Sequence, residues 1–316
     1  MAKFRLATFN VENLFARYRF RQNLSPVGED GFTVNDLAFN LVDETAKRIT
    51  AKAIAATKAD IVALQEVENL PVLDRFNSRF LASRKYRNRV LIDGNDPRAI
   101  DVGLLAKPGF DIVSIRTHRD TRRAGSPGVK LFSRDCLEAT VAVPDDNGGT
   151  RSIALFVNHF KSMMGGRQDT RARREEQAQG VLDIITDRYG PNLDGDFAVI
   201  VDFNDFIDDP PKHGLGALVD HPQLVNVIAE LRDEDDQWTH FFAREDSYTQ
   251  LDYILLSRRL FEAAGDDLDT DIVRDGLPFR AERYDGDRFD DIGEDRPKAS
   301  DHCPVVVSIP VDALSD

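Results

Sequence analysis

The sequence predicts an α/β fold, because segments typical of strands and of helices alternate along its whole length. Short apolar runs rich in β-branched residues recur between loops, and most barely alternate with polar residues, as expected of strands buried on both faces. Two longer segments carry apolar residues on one helical stripe. The predicted strands are residues 4–9, 61–64, 102–105, 112–115, 139–143, 153–157, 198–201, 253–256 and 304–309, and the predicted helices are residues 44–58 and 170–188.

The composition is that of a folded, water-soluble domain. Hydrophobic residues make up 41% of the 316 residues and charged residues 30%, which is enough apolar material for a buried core. No linker divides the chain, so we expect one domain over residues 1–316, and a monomer. Cys136 and Cys303 lie beside apolar runs, where we expect buried thiols rather than a disulfide.

The apolar runs are all far shorter than the ~20 residues needed to cross a bilayer, so no membrane span is expected. The first residues lead straight into a strand-like run and lack the pattern of a secretion signal. The sequence as it stands therefore indicates the cytoplasm, or a secreted protein if a signal peptide has been removed.

The net charge of −14 repels a polyanion at long range, so a nucleic-acid substrate would need local basic patches and bound cations. The charge is uneven along the chain. Residues 84–134 hold twelve Lys or Arg against five Asp or Glu, whereas residues 262–301 hold six against fourteen. Such runs are also common on solvated surfaces. The acidic run includes the long, weakly periodic segment 266–299, which we expect to be functional or mobile.

Polar residues cluster where predicted strands end or begin. A single carboxylate beside a strand is usually a turn former or a cap. Here, however, several strands show the same feature: Asn10, Glu66, His159, Asp202 and Asn204 follow predicted strands, whereas Asp252, Asp301 and His302 precede them. If the two sets of strands run antiparallel in mixed sheets, all of these side chains gather along one edge. The joint pattern therefore predicts one site.

The residue types at these strand ends favour Mg²⁺ or Mn²⁺ as the cofactor, because hard cations take oxygen ligands. Zinc is disfavoured, since no pair of His or Cys has the spacing of a closed zinc site. His302 directly follows Asp301, and a neutral imidazole held by a carboxylate is the usual general base near neutral pH. The remaining histidines are expected to be ordinary surface residues, namely His118, His213, His221 and His240.

Six short motifs contain these polar residues. They are TFNVEN (residues 8–13), LQEVE (64–68), NHFKS (158–162), DFND (202–205), LDYI (251–254) and SDHCPV (300–305). Their residues and their order resemble the motif series of the endonuclease/exonuclease/phosphatase superfamily, which includes deoxyribonuclease I and abasic-site endonucleases. Each motif alone is a weak signal, but six in the same order are highly specific.

The resemblance implies a deoxyribonuclease I-like fold, a four-layered α/β sandwich of two packed mixed β-sheets flanked by helices. The site would lie at one edge of the two sheets. The resemblance also implies a hydrolase that acts on phosphoester bonds with a divalent metal. By motif, Asn10 and Glu66 would hold the metal, with Asp301 near it.

The resemblance assigns the catalytic roles as well. Asp202 and Asn204 would contact the scissile phosphate or the attacking water, and His159 would donate to a phosphate oxygen. Asp252 would orient His302, which would act as the general base.

Three further positions come from the same comparison of motifs. Arg134 resembles a phosphate-contacting arginine of the deoxyribonuclease branch, and Asp101 is expected to pair with His159. The superfamily usually has Gly before the Asp-Phe-Asn block, where this chain has Val201. Because residues 198–201 have the pattern of a continuous strand, we expect Val201 to be accommodated, with Asp202 slightly displaced.

Residues 158–180 resemble a bacterial, often extracellular, nuclease subgroup, and so indicate a bacterial origin. Lys161, Arg171 and Arg174, together with Arg167, would then line a phosphate track beside the site. The alternative is an amphipathic helix whose basic residues are simply solvated.

The sequence therefore favours a sequence-independent nuclease that hydrolyses DNA or RNA. The first alternative is a phosphatase or phosphodiesterase that acts on a nucleotide, a sugar phosphate or a lipid head group, since the same metal chemistry serves all of these. The second alternative is a binding module without catalysis. The presence of every acid and both histidines argues against that module.

Overall fold

Two six-stranded mixed sheets pack face to face and carry helices on their outer faces, which makes four layers. The computed structural model describes residues 2–20, 31–35, 37–208 and 212–315. No helix within these ranges is long and apolar enough to cross a membrane. The four-layered sandwich implied by the motif resemblance is therefore confirmed.

Strands and helices alternate along the chain. The strands are β1 (Lys3–Leu14), β2 (Ala16–Phe20), β3 (Gly31–Val34), β4 (Leu37–Leu41), β5 (Ile61–Val67), β6 (Asn88–Leu91), β7 (Asp101–Ala106), β8 (Ile112–Thr117), β9 (Arg122–Arg123), β10 (Ser126–Lys130), β11 (Leu137–Pro144), β12 (Thr150–His159), β13 (Phe197–Asp202), β14 (Leu224–Asn226), β15 (His240–Phe242), β16 (Ser247–Thr249), β17 (Asp252–Ser257), β18 (Asp269–Ile272) and β19 (Val305–Pro310). The helices are α1 (Glu44–Thr57), α2 (Leu70–Phe80), α3 (Arg167–Tyr189), α4 (Gly216–Val219), α5 (Val227–Leu231) and α6 (Arg258–Ala264). Each predicted strand and helix corresponds to one of these elements.

The order of the strands brings selected strand ends to one edge. The first sheet has the order β18-β19-β1-β5-β7-β6, and the second has the order β14-β17-β13-β12-β11-β8. β1 runs parallel to β5, and β12 runs parallel to β13. Their neighbours β19 and β17 run antiparallel to them. The carboxyl ends of the parallel strands therefore meet the amino ends of β17 and β19, as the sequence predicted.

Alternate residues of the central strands face two different cores. Leu6 of β1 lies in the apolar core between the sheets, whereas its neighbour Ala7 lies in the core beneath α1 and α2. In the second sheet, Val157 faces the partner sheet and Phe156 faces α3. Both faces of these strands are buried, which explains why their sequences show so little polar alternation. Cys136 and Cys303 are buried free thiols, as expected.

Helix α2 was not predicted from the sequence, although its start carries two recognisable signals. The side chain of Asn69 accepts a hydrogen bond from the Val72 amide at 3.0 Å, and Pro71 occupies the first turn. Both features are typical of a helix amino terminus. Its apolar face, with Leu73 and Phe76, packs on the first sheet.

The acidic segment 266–299 forms part of the first sheet and its surroundings. Strand β18 pairs with β19, and Leu277 and Ala281 join the core between the sheets. The carbonyl of Ala299 accepts a hydrogen bond from the Thr50 hydroxyl at 2.6 Å, which ties the segment to α1. Apolar residues spaced among the acids anchor this segment, and they are too few to produce a period in the sequence.

Val201 is fully buried in β13, within the outer core beneath α3 and α4. Val201 does not have a positive φ, so a β-branched residue fits the strand without strain. Asp202 stays in register, opposite His159 on one side and Asp252 on the other. Val201 is thus accommodated as expected, whereas the slight displacement of Asp202 stays a prediction.

We predict that Val201→Gly lowers the free energy of unfolding by about 3 kcal/mol, because it removes a buried side chain and loosens the strand backbone. Urea unfolding with Val201→Ala as an intermediate step would measure the two contributions separately. If Val201→Gly proves neutral or stabilising, the strand does not need a side chain here and packing does not explain the departure from the family pattern.

Candidate active site

Two buried hydrogen bonds join the sheets at the edge where the strand ends meet. The Asn10 amide Nδ2, on the first sheet, donates to Asp202 Oδ2, on the second, at 2.8 Å. His302 Nδ1, just before β19, lies 2.9 Å from Asp252 Oδ2 at the start of β17. Eight positions proposed from the sequence lie along or beside this edge: Asn10, Glu66, His159, Asp202, Asn204, Asp252, Asp301 and His302.

Strand register aligns three of these residues side by side. His159 pairs with Asp202 between the parallel strands β12 and β13, and Asp202 pairs with Asp252 between the antiparallel strands β13 and β17. Asp202, Asp252 and His302 place their polar atoms within 4.8 Å of one another. The adjacent strands therefore form a compact polar row, which consists of His159, Asp202, Asp252 and His302. All four side chains are buried.

Irregular backbone turns further side chains toward this row. Glu66 has φ 66° and Asn204 has φ 51°, both in the left-handed region that non-glycine residues seldom adopt. The pairing of β1 with β5 shifts register between Asn10 and Leu14, which is typical of a bulge. Such conformations cost free energy and concentrate at functional sites, where the surrounding structure maintains them.

His302 and Asp252 form an oriented pair supported by Thr239. The Thr239 hydroxyl donates to Asp252 Oδ2 at 2.8 Å, and it accepts hydrogen bonds from the backbone amides of Leu251 and Asp252. Thr239 thus fixes the position of the Asp252 carboxylate, which bonds to His302 Nδ1. The other ring nitrogen, Nε2, lies 3.9 Å from Asp202 Oδ2 and faces the rest of the site.

The pKa of His302 lies well above the ordinary value for histidine. Burial alone would lower it, but the negative charges of Asp252 and Asp202 and the hydrogen bond to Asp252 outweigh that effect. While these carboxylates are charged, His302 therefore holds a proton strongly. A divalent cation bound to the neighbouring acids would oppose their charge and favour the neutral imidazole that a general base requires.

Asp202 is the central acid, and it accepts hydrogen bonds from three donors. These are Asn10 Nδ2 at 2.8 Å, the Asn204 amide at 2.8 Å and Asn204 Nδ2 at 3.2 Å. Burial raises the pKa of Asp202 to about 7, with Asp252 adding to the rise and His302 opposing it. A carboxylate with this pKa binds a proton or a cation readily near neutral pH.

His159 is buried beside two acids, with Nε2 at 3.4 Å from Asp202 Oδ2 and 3.9 Å from Glu66 Oε1. Burial and the positive charges of Arg134 and His302 hold the pKa of His159 well below its usual value. His159 is therefore a neutral imidazole, which can still donate one N–H to a phosphate oxygen.

The predicted pairing of Asp101 with His159 is wrong as a hydrogen bond. Nδ1 of His159 is buried without a partner among the described residues, and Asp101 Oδ1 instead accepts from the Gly94 amide at 2.9 Å. The Gly94 backbone lies so close to Asp101 that a Cβ at position 94 would lie 2.6 Å from Asp101 Oδ1, so a larger residue would not fit without a shift. Asp101 thus fixes the loop between β6 and β7, and burial raises its pKa to about 6.

The oxygen-rich side of the site fits a hard cation. Burial raises the pKa of Glu66, and the charge of Asp301 raises it further against the opposing charge of His302. Asn10 adds an amide oxygen beside these carboxylates. A divalent cation would relieve the repulsion between the acids, and Asn10, Glu66 and Asp301 remain the residues expected to hold Mg²⁺ or Mn²⁺. Among the described residues, Asp202, Asp252 and His302 form a group whose ligand atoms, within 4.8 Å of one another, could also hold a cation.

Three residues outside the predicted set support Asp301 and its surroundings. The Ser300 hydroxyl lies 2.8 Å from the Asn10 carbonyl and 3.3 Å from Asp301 Oδ1. Burial would raise the pKa of Asp301, but the charges of Lys298 and His302 hold it below its usual value. Lys47 is buried beneath β1 and donates to the Val11 and Glu12 carbonyls at 2.7 and 3.0 Å, which holds the bulged strand in place. 

Arg134 lies beside the site, and its contact with phosphate stays a prediction. It is buried, and Nη1 donates to the Phe160 carbonyl at 3.0 Å. Asn204 Nδ2 lies 3.3 Å from the same carbonyl, so Arg134 and Asn204 are neighbours. Nε of Arg134 lies 3.4 Å from Asp96 Oδ2. The guanidinium is therefore fixed beside the polar row.

The phosphate track predicted on α3 is not formed as expected. Arg174 is fully buried and bonds to Asp205 Oδ2 at 2.7 Å, to the Thr170 hydroxyl and to two backbone carbonyls. A buried guanidinium with satisfied donors cannot contact substrate, so that assignment is wrong. Arg171 forms an ion pair with Glu175 at 2.8 Å, and Lys161 Nζ bonds within its own loop.

The expectation that His240 lies at the surface is wrong. His240 is buried, its ring centroid lies 4.6 Å from that of His302, and the two residues form an isolated β-bridge. His213 is likewise buried. A signal for His240 existed, because the run Trp238 to Phe242 is apolar apart from Thr239 and His240, but no spacing linked it to His302.

The fold and the buried row of acids, amides and imidazoles define the class of protein. The chain belongs to the Endonuclease/Exonuclease/phosphatase family, whose model matches residues 5–309. The family includes metal-dependent nucleases and phosphatases, all of which hydrolyse phosphoester bonds. A search among curated proteins finds no match for this sequence.

Solved structures share the fold at low sequence identity. The catalytic domain of human Nocturnin with bound sulfate is 17% identical to this chain, with a TM-score of 0.58. The match covers 98% of this chain and 94% of that chain. Truncated TDP2 from Caenorhabditis elegans is 14% identical, with TM-score 0.59 and 97% of each chain covered. The mannosyl-6-phosphatase of Bacteroides thetaiotaomicron is 15% identical to this chain, with a TM-score of 0.57. The match covers 97% of this chain and 100% of that chain. At these identities the likeness shows the fold alone.

We predict that Arg174→Ala lowers the free energy of unfolding by roughly 2–5 kcal/mol, because it leaves a cavity and removes one of the two guanidiniums bonded to the buried Asp205. Arg171→Ala on the same helix should change it by less than about 0.5 kcal/mol. Urea unfolding of both variants measures this difference. A stable Arg174→Ala protein with weakened substrate binding would instead restore the predicted phosphate track.

Proposed function

We propose that this protein is a divalent-metal-dependent phosphodiesterase that acts as a sequence-independent nuclease on DNA or RNA. The observation that carries the proposal is the His302–Asp252 pair, which directs its free ring nitrogen toward Asp202. A base oriented in this way, beside a cluster of acids and amides, suits the attack of water on a phosphodiester.

In this reaction His302 Nε2 takes a proton from the attacking water. Asp252 holds Nδ1, which fixes the orientation of the ring and stabilises the imidazolium that forms. Thr239 keeps Asp252 in position. Asp202 and Asn204 orient the water and the scissile phosphate from the neighbouring strand end.

Charge on the phosphate is stabilised from the other side of the site. His159, as a neutral imidazole, donates an N–H to a non-bridging oxygen, and Arg134 supplies a fixed positive charge nearby. A divalent cation bound by Asn10, Glu66 and Asp301 would supply further positive charge for the phosphate and the leaving oxygen.

A phosphatase or phosphodiesterase for a small substrate is the second candidate. The net charge of −14 favours it, because the protein repels a long polyanion more than a small phosphate. Similarity to a mannosyl-6-phosphatase concerns the fold alone and does not decide between the two.

One experiment separates these candidates. The protein would be incubated with Mg²⁺ or Mn²⁺ and with supercoiled DNA, linear DNA, single-stranded RNA, nucleotides and sugar phosphates, and the products and their termini would be identified. Cleavage inside polynucleotides supports the nuclease, whereas release of inorganic phosphate from small esters alone supports the phosphatase. If none of these substrates is turned over, the protein is a binding module.

We predict that turnover depends on a divalent metal. The clustered acids must be neutralised before an anionic phosphate can approach, so excess chelator should abolish activity and Mg²⁺ or Mn²⁺ should restore it. Melting temperature, followed in parallel, should rise on adding metal to wild type and much less in Glu66→Gln. Full activity in excess chelator would contradict the cofactor assignment.

We predict that His302→Ala lowers turnover by at least the ~10²–10⁴-fold typical of a lost general base, with a modest change in KM. Asp252→Asn should cause much of the same loss, because it frees the ring. Since the two residues act as one unit, the double variant should be little slower than His302→Ala alone.

Single-turnover cleavage rates, together with thermal melting, test this prediction. The melting data are needed because both residues are buried and join the two sheets. Near-wild-type cleavage by His302→Ala, or multiplicative losses in the double variant, would assign activation of the water to another group, with Asp202 as the next candidate.

A further inference from the structure

The loop between β6 and β7 places an arginine at the rim of the site that the sequence did not single out. Arg98 lies in this loop, and its side chain is 57% exposed. Three hydrogen bonds fix the loop. The Asp101 carboxylate accepts one from the Gly94 amide, and the Asn95 side chain donates to the carbonyls of Arg119 and Phe132. Arg98 is therefore an exposed group on a well-anchored loop.

Asp96 holds Arg98 in a defined orientation. Arg98 Nε donates to Asp96 Oδ1 at 3.0 Å, and Nη2 donates to Oδ2 at 2.8 Å, which is a bidentate pair. The Arg98 backbone amide also donates to Oδ1, at 3.0 Å. Nη1 has no hydrogen-bond partner among the described residues and remains available to a ligand.

Asp96 also connects Arg98 to the polar row. Its Oδ2 lies 3.4 Å from Nε of the buried Arg134, which bonds to the Phe160 carbonyl beside Asn204. One carboxylate thus serves two guanidiniums. Arg98 is close enough to act on groups of the site. After burial, Arg134 and His302, its charge also lowers the pKa of His159, and after burial and Arg134 it lowers the pKa of Lys161.

Three of the cations predicted to line a phosphate track already have protein partners. Arg174 is buried in its pair with Asp205, Arg171 is paired with Glu175, and Lys161 bonds to oxygens of its own loop. Arg98 differs from them, because it combines exposure, a fixed orientation and a free Nη1 beside the site. Asp96 and Arg134 lie between Arg98 and the polar row, so Arg98 is placed for a phosphate beside the scissile one and not for the scissile phosphate itself.

We propose that Arg98 binds a second phosphate of the substrate, so that the site selects a polynucleotide strand over a single phosphate ester. This inference rests on the proposed phosphodiesterase function and adds the substrate class to it. Asp96 acts as a positioning residue, since it fixes the guanidinium without touching the substrate.

The test compares Arg98→Ala with Arg258→Ala as a matched control. Arg258 is a 42% exposed arginine in an ion pair with Glu262, and it lies at the far end of β17 from Asp252. Each variant would be assayed with a fluorescent oligonucleotide and with bis(p-nitrophenyl) phosphate, which has one phosphate. Binding of the oligonucleotide would also be measured by anisotropy with Mg²⁺ over a range of salt concentrations, with each variant placed in the His302→Ala background so that cleavage is slow.

For Arg98→Ala we expect KM for the oligonucleotide to rise about tenfold or more, with little change in kcat. The slope of log binding constant against log salt should fall by about one, because one phosphate contact is lost. Hydrolysis of the small diester should match that of Arg258→Ala. Arg98→Lys should recover part of the loss, and Asp96→Asn should raise KM for the oligonucleotide to a smaller extent.

Three outcomes would overturn the inference. An oligonucleotide KM and salt slope for Arg98→Ala equal to those of the control would show that Arg98 does not bind substrate. Equal losses on both substrates, with unchanged melting, would place Arg98 at the scissile phosphate instead. If wild type cleaves neither substrate, the proposed function itself fails and the inference fails with it.

Discussion

The buried hydrogen bond between Asn10 and Asp202 is the interaction on which the site depends, because it joins the central strands of the two sheets at their shared edge. The His302–Asp252 bond makes a second connection across the same edge. Apolar packing holds the sheets together but leaves small changes in their relative position open. Buried polar groups are costly unless they are paired, so these two bonds define that position closely.

The site also balances a group of buried acids against nearby positive charges. Burial raises the pKa of Glu66 and of Asp202, so both carboxylates favour a cationic partner. Lys298 and His302 provide positive charge near Asp301, and Arg134 provides it on the opposite side. The family's dependence on a divalent metal agrees with this arrangement. Positive charge therefore lies on both sides of the buried acids.

Arginines in this chain serve two different purposes that their sequence context does not distinguish. Arg174 and Arg167 both bond to Asp205 and stabilise the start of α3 against the loop after β13. Arg98 uses a similar bidentate bond to Asp96 but keeps most of its side chain in solvent. Burial separates the two groups, and burial depends on which elements pack over each residue.

The sequence by itself determined the α/β class, the central strands and the row of polar residues, because buried parallel strands and polar strand ends are local patterns. The six motifs extended this to the four-layered fold and to the family. Only the tertiary structure decided which residues support the row, such as Thr239 behind Asp252 and Lys47 beneath β1. It also decided that Arg174 is buried while Arg98 is exposed. These properties depend on contacts between segments far apart in the chain, which no local period or spacing encodes.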